Sequence, residues 1–287
     1  MITRGLEAAS HGMQALIIQE DAIANNVANV NTTGFKRTNM AFKNILDAQV
    51  AQRAPSATQK ARVAGELSLG SAVDRTYIDF SQGVLNQTGS KLDIGIGGEG
   101  FFKIRLADTV NKAESEDNYY YTRNGNFHLN TDNYLVTSQG NFVVDEMDRR
   151  IRLVRNPEDP TMDENNRIDF EKELLVSEDG LIQLIESDGN IPMQRIQIVD
   201  FQDKTKISYL GDGKFIPAKG FENEAGRVRL NEGFALQQGM LEGANTNTVR
   251  EMIQSINVSR SYETLSKIVK TTGDTVSQAI ELGKIKG

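Results

Sequence analysis

Both ends of the chain carry apolar residues in alternating steps of four and three, and no other feature constrains the fold as strongly. Near the start the row is Ile2, Leu6, Ala9, Met13, Leu16, Ile23, Val27 and Val30, interrupted at Glu20. Near the end it is Val258, Tyr262, Leu265, Val269, Thr272, Val276 and Ala279. This spacing keeps a narrow apolar seam on one side of a helix, as in a coiled coil, rather than the broad stripe of a core-facing helix. A seam at each terminus predicts that the two helices pack together. One pair of seams leaves most of each helix without a partner, so the pattern points to assembly before catalysis.

Between the seams the chain reads as strands and turns, which makes the expected fold class α+β: coiled-coil-like terminal helices, a central β-rich domain and an extended arm. Helical patterning ends in Asn31-Thr32-Thr33-Gly34, where polar residues and a glycine stop a helix. Residues 35–50 are mixed in character, a second short helix or the start of an arm. Residues 51–71 are rich in Ala, Gln, Ser and Gly, the composition of a linker or of an arm that orders against neighbours. The expected division is 1–40 N-terminal helix, 41–72 arm, 73–239 β-rich domain and 240–287 C-terminal helix.

Within the β region the dipeptides Asn124-Gly125, Asp179-Gly180, Asp188-Gly189 and Asp212-Gly213 are hairpin signals. Short β-prone runs lie at 101–106, 119–122, 141–144, 180–185 and 196–201. The acidic stretches 108–118 and 156–166 read as solvated loops.

The net charge of −7 leaves no broad basic field for nucleic acid or an anionic membrane. Cysteine is absent, which excludes disulfides, thiolate metal sites and cysteine nucleophiles. No run of apolar residues is long enough to span a bilayer, and no basic region followed by an apolar stretch marks a cleavable signal. A protein of this kind that leaves the cytoplasm is expected to use a route that ignores such signals.

Candidate chemistry is sparse. Gly95-Ile96-Gly97-Gly98-Glu99-Gly100 satisfies G-x-G-x-x-G, but Phe101-Phe102-Lys103-Ile104 follows as a strand, whereas a dinucleotide site needs a helix there. The glycines are expected to form a tight connection. His11 and His128 belong to no spaced ligand set, and Asp159, Asp163 and Glu164 lack the glycine and glutamate of a calcium loop. No catalytic, cofactor or metal site is predicted.

The asparagines Asn25, Asn26, Asn29 and Asn31 are unusual for a helix, where Asn competes for its own backbone. They are either a solvated helix end or, with Asn25 and Asn29 four apart on one face, amides that fix register against neighbouring subunits. Gly34 would permit the turn that follows, and Phe35 would anchor the exit against the packed helices. Ordering both tails costs backbone entropy comparable to what one pair of seams returns. The tails are therefore expected to be mobile in a monomer and to order on assembly.

Residues 24–36, from Ala24-Asn25-Asn26-Val27-Ala28-Asn29 through Thr33-Gly34-Phe35-Lys36, resemble the N-terminal signature of the bacterial flagellar rod and hook proteins. Residues 83–102, followed by Tyr121-Thr122-Arg123-Asn124-Gly125, resemble the start of that family's β domain. Residues 238–247, which include Asn245 and Asn247, together with Arg260, Ser261, Tyr262 and Glu263, resemble its closing helix. The stretch 145–236 carries no such motif.

The resemblance implies an axial subunit of the basal body: exported by the flagellar type III apparatus, stacked into a periplasm-spanning helical tube, and lined by paired terminal helices. Its implied partners are copies of itself, adjacent rod and hook proteins, the export apparatus and a rod-cap protein. The implied assembly interface is Ile2, Leu6, Met13, Leu16, Ile23, Asn25, Asn26, Val27, Asn29, Val30, Gly34, Phe35, Asn245, Asn247, Val258, Tyr262, Leu265, Val269 and Val276. The chain is short for a hook subunit. The extent of the arm at 42–73 is similar to that of a distal rod subunit, which is favoured, while 241–245 looks more like a proximal one. The alternative from another class is a secreted β-rich glycan-binding or glycan-hydrolysing protein with oligomerising helical tails.

Overall fold

The computed structural model describes residues 2–46, 68–107, 119–154, 173–186, 189–218, 227–229 and 233–284. The acidic loops expected at 108–118 and 156–166, with Asp159, Asp163 and Glu164, lie outside the described residues, as does the arm over 51–67. The chain divides into two compact units. One comprises Met1–Ala28, Thr38–Asp79 and Thr246–Gly287, the other Asn29–Arg37 and Phe80–Asn245.

The first unit is built from helices α1 (Ile2–Ala28) and α2 (Thr248–Lys284) and a hairpin of strands β1 (Thr38–Leu46) and β2 (Ser68–Ile78). Residues 38–46 therefore form a strand and not the second short helix. β1 and β2 are antiparallel from Thr38↔Ile78 to Leu46↔Ser68, with irregularities after Ala41 and Asn44. The helix α2 starts where Asn247 Oδ1 accepts the Arg250 amide, an asparagine cap that satisfies one of the helix's unpaired donors. The two helices approach closely because α1 offers small residues: Ala9 and Ala15 are buried, and a Cβ on Gly12 would stand 3.3 Å from Leu265 Cδ1.

Among the described residues of the second unit, sixteen strands run in chain order as β3 (Leu85–Gln87), β4 (Ile94–Gly98), β5 (Phe101–Arg105), β6 (Tyr119–Thr122), β7 (Phe127–Leu129), β8 (Leu135–Thr137), β9 (Phe142–Val143) and β10 (Leu174–Val176). They continue as β11 (Leu181–Glu186), β12 (Gly189–Arg195), β13 (Ile198–Phe201), β14 (Ile207–Gly211), β15 (Lys214–Pro217), β16 (Arg227–Arg229), β17 (Phe234–Gln238) and β18 (Met240–Glu242). The principal sheet has the order β14-β15-β6-β5-β9-β8-β7, with β13 joined to β5 and carrying β16. Smaller sheets are β10-β11-β12, β17-β4 and β18-β3. All of these pairings are antiparallel.

One core fills this unit. Ile94, Ile96, Phe102, Ile104, Phe127, Leu135, Ile151, Leu153, Leu184 and Leu236 are buried together. Beside them Phe101 meets Phe80, Phe201 and Phe215 with ring centroids 5.5 to 5.8 Å apart in edge or tilted contacts.

Two of the expected hairpins form as read. Asp179-Gly180 connects β10 to β11, and Asp212 and Gly213, with φ of 51° and 70°, make the turn between β14 and β15 that the twist of paired strands favours. β11 and β12 close through Glu186↔Gly189, with residues 187–188 outside the described set. Asn124-Gly125 is different: β6 pairs with β5 and β15, not with β7. The glycine serves close approach there, because a Cβ on Gly125 would stand 1.7 Å from the Ile94 carbonyl oxygen. The G-x-G-x-x-G run connects β4 to β5 with no helix after it, so the arrangement a pyrophosphate needs is absent at that point.

Candidate assembly surfaces

In the helical unit, the α2 seam is the face turned to α1. Val258 is buried and Leu265, Val269, Thr272 and Val276 are half-buried, while Tyr262 keeps 39 % of its surface exposed. The face α1 turns inward keeps Ala9, Met13, Leu16, Ile23 and Val27 of the expected row, adds Ala15 and Asn26, and leaves Leu6 out. It is formed by Ala9, Ala15, Ile23 and Asn26, with Met13, Leu16 and Val27 half-buried, while Leu6 is 41 % exposed. Small residues took the contact because α1 packs on both α2 and the hairpin, which needs a wider face than a single seam. Ile2 lies in α1, but its side chain and that of Ala279 fall outside the described residues.

The helix pair is registered by two polar contacts. Ser255 Oγ donates to Glu20, the residue that interrupts the seam. Asn26, 1 % exposed, donates through Nδ2 to Glu251 Oε2 at 3.3 Å and to the Thr38 carbonyl at 3.0 Å, and its Oδ1 accepts the Thr38 amide at 2.9 Å. A buried amide tying a helix to both its partner helix and the first strand fixes their register, since slippage would leave these groups unpaired. Asn25 is exposed, and Asn29 Oδ1 accepts the Thr32 hydroxyl. The amide inside the helical unit is thus Asn26, the one the four-residue spacing of Asn25 and Asn29 passed over.

In the sheet unit, residues 29–37 are held by a buried ion cluster. Glu242, on β18, accepts from Lys36 Nζ at 2.7 Å and from the Gly83 amide at 2.8 Å through Oε1, and from Arg123 Nη1 at 3.3 Å through Oε2. The three side chains are no more than 2 % exposed. Lys36 also donates to the Ser81 carbonyl, and the Glu242 carbonyl accepts the Gly34 amide. Asn245 Oδ1 accepts the Arg37 amide, its own amide donates to the Phe35 carbonyl, and its Nδ2 donates to Ser81.

Gly34 has a φ of 69°, and a Cβ there would lie 2.5 Å from the Asn124 amide nitrogen, so only glycine fits the turn. Phe35 is 1 % exposed and packs edge-on to Tyr209 at 5.9 Å, so it is anchored in the sheet unit rather than against the helices. Val30 is half-buried, and Asn247, the α2 cap, is exposed.

The charges Lys36, Arg123 and Glu242 were not among the expected site residues. A signal for them existed: each stands in a different one of the three motif segments, and together they are two cations and one anion. Elsewhere, His11 and His128 are exposed, and among the described residues no group of three or more metal-ligating side chains comes together. Asp93 is buried and accepts from Asn126, and Glu99 pairs with Lys204 at 3.5 Å. No described helix is long and apolar enough to cross a membrane.

Comparison with known families matches three segments. Residues 6–36 match the family described as flagella basal body rod protein, 95–214 the flagellar hook protein FlgE/F/G D1 domain, and 237–282 the flagellar basal body rod FlgEFG protein C-terminal. The D1 match covers much of the stretch in which no motif was evident. Helix, β domain and helix in this order define a structural protein of the bacterial flagellar axis. Full-length relatives narrow the class: the chain is 31 % identical to the flagellar basal-body rod protein FlgG of Borreliella burgdorferi over 97 % of its own length and 98 % of the relative's. It is 30 % identical to FlgF of Caulobacter vibrioides over 92 % of each chain, and 30 % identical to FlgG of the same organism over 96 % and 97 %. The chain belongs to the flagellar basal-body rod protein family, structural subunits of the polymeric rod in the flagellar basal body.

Proposed function

We propose that this chain is the distal rod subunit, polymerising into the helical tube that transmits torque to the hook. The observation that carries this reading is the end-to-end match to proteins named FlgG, which spans both terminal helices and the β domain together. The geometry supports it: the helical unit pairs α1 with α2 through small residues, and leaves large apolar side chains such as Ile17, Ile253 and Ile256 about half exposed. The interface residues expected from the sequence, among which Asn26 and Phe35 are buried and Asn245 is half-buried, hold the elements that neighbouring subunits meet.

In this reading the subunit leaves the cell interior through the type III export apparatus without a cleavable signal. It spans the periplasm beneath the hook, meets neighbouring rod and hook proteins and a rod cap, and catalyses no reaction. The helical tails order fully on assembly. Electron microscopy of basal bodies from cells lacking this chain tests the assignment: rods that end short, without hooks, are expected, and complete hook–basal bodies would overturn it.

A further inference from the structure

One face of the principal sheet sets arginines among aromatic rings. Arg105 on β5 stands opposite Tyr119 of β6 and Phe142 of β9, and Phe142 stands opposite Val136 of β8. Single bridges pair Tyr134 with Arg152 and Val144 with Arg150. Residues opposite one another, or two apart along a strand, share a side, so Arg105, Arg150 and Arg152 lie on one face with Tyr134 and Phe142. The Arg150 guanidinium carbon lies 4.8 Å from the Tyr134 ring centroid and 5.2 Å from that of Phe142, and the Arg152 carbon lies 5.6 Å from Tyr134. Such stacks hold the guanidinium planes and leave their N–H edges to other partners. Arg152 donates Nε to the Asp132 carbonyl, and the Arg150 side chain makes no hydrogen bond or ion pair among the described residues.

The acids nearby are already committed. Asp145 is buried, holds Arg149 at 2.8 Å and accepts from Gln194, and Asp148 pairs with Lys103. A chain of net charge −7 thus carries two stacked arginines, Arg150 and Arg152, that no described carboxylate meets. We propose that this face binds an acidic segment of a protein other than this chain, each of the two arginines taking a carboxylate on the fork its planar group presents. Guanidinium already lies against the rings, so no bare aromatic platform is left for a sugar. Three arginines are also too few to hold a chain of this net charge on an anionic bilayer. The choice of a foreign protein rests on the rod reading: there the helical unit makes the contacts between copies, which leaves this face of the self-contained sheet unit to another partner.

Preorganisation gives the face its selectivity. A ring holds each guanidinium before the partner arrives, so less side-chain freedom is lost on binding. Arginine and tyrosine are also the residues that concentrate binding energy at protein interfaces. Lysine, a compact and strongly hydrated charge, supplies neither the stack nor the fork.

A fluorescein-labelled oligoglutamate peptide, titrated with the full chain at low salt and followed by anisotropy, tests this. Arg150→Gln with Arg152→Gln is expected to weaken binding at least about tenfold while the far-ultraviolet spectrum is unchanged. Lysine at both positions keeps the charge without the fork and is expected to bind at least about threefold more weakly than wild type. Lys43→Gln with Arg75→Gln, which removes two exposed cations of the helical unit, is expected to leave binding as it is. Equal loss in the two glutamine pairs overturns the proposal in favour of net charge, as does a wild-type chain that ignores the peptide. Wild-type affinity in the lysine variant overturns recognition by the stacked forks. Tighter binding of polygalacturonate than of the peptide overturns it in favour of an acidic glycan. Displacement of the peptide by the chain carrying Arg150→Gln and Arg152→Gln, which keeps every acid but lacks the face, makes a second copy the occupant and overturns the foreign partner. The measurement needs no polymer, so its failure leaves the rod reading standing.

Discussion

In the sheet unit Phe102, Ile104, Phe127 and Leu135 are at most 1 % exposed, whereas in the helical unit Ile17, Met252, Ile253 and Ile256 are about half exposed and the fully buried apolar positions are Ala9, Ala15, Ile23 and Val258. The sheet unit spends its large side chains on its own core. The helical unit contacts itself through small residues and turns its large ones outward. Exposed apolar residues scattered singly are ordinary, but Val249, Met252, Ile253 and Ile256 grouped on one side of α2 mark a surface meant to be covered. Stability of the sheet unit is thus a property of the subunit, and that of the helical unit is shared with its neighbours.

The comparison is broken most severely at Glu242. Replacing it with glutamine leaves Lys36 and Arg123 buried without an anion, a change that costs about 3 to 5 kcal/mol. The chain has no tryptophan, and five of its seven tyrosines, at 119, 120, 121, 134 and 209, lie in the sheet unit. Loss of near-ultraviolet tyrosine signal at lower denaturant, with helical far-ultraviolet signal retained, is the expected result. Asn26→Leu comes next, at about 1 to 3 kcal/mol, because the Thr38 amide and the Glu251 carboxylate lose their buried partner. Here the order reverses: helical signal goes first and tyrosine signal persists.

These two sites also show what was legible. Helix, strands and helix could be read from periods of three to four and of two, because those periods are set by backbone geometry and survive any packing. The turns at Asp179-Gly180 and Asp212-Gly213 were legible for the same local reason. The inward face of α1 was legible only in part: Ala9 and Ile23 stood in the row, whereas Ala15, Asn26 and the close approach at Gly12 lie outside it and depend on what the helix packs against. Asn26 was hidden among three other asparagines, and only the position of Glu251, far along the chain, distinguishes it. Lys36, Arg123 and Glu242 stood in view within the motifs, but their convergence depends on tertiary structure, as does the role of Gly125.

Within the sheet unit a smaller effect depends on pH. Burial raises the Tyr120 pKa above its ordinary 10.0, partly offset by hydrogen bonds with Thr137 and Asn141. A group that binds its proton more tightly when folded contributes stability that is complete below its unfolded pKa and is lost as pH rises through the folded one. Tyr120→Phe gives up the hydroxyl's hydrogen bonds, about 0.5 to 1.5 kcal/mol at neutral pH. That deficit should narrow above about pH 10, where wild type must begin to ionise the phenol on unfolding. Urea titrations on either side of that pH measure the difference, and a constant gap would place Tyr120 outside the sheet unit's linked protons.

The smallest effect on the isolated subunit is the most informative about the comparison. Ile253→Ala removes a large apolar side chain that is 55 % exposed, so the monomer's unfolding free energy should move by no more than about 0.5 kcal/mol. The same truncation at Phe102, which has no exposure, should cost about 3 to 5 kcal/mol. Where polymer contacts cover Ile253 the inequality closes, because its loss then carries the transfer free energy of a buried side chain, about 1.5 to 3 kcal/mol per contact. The concentration at which Ile253→Ala polymerises measures that term directly. If it equals wild type, the outward row is surface only, and the contrast between the two units reduces to a difference in packing.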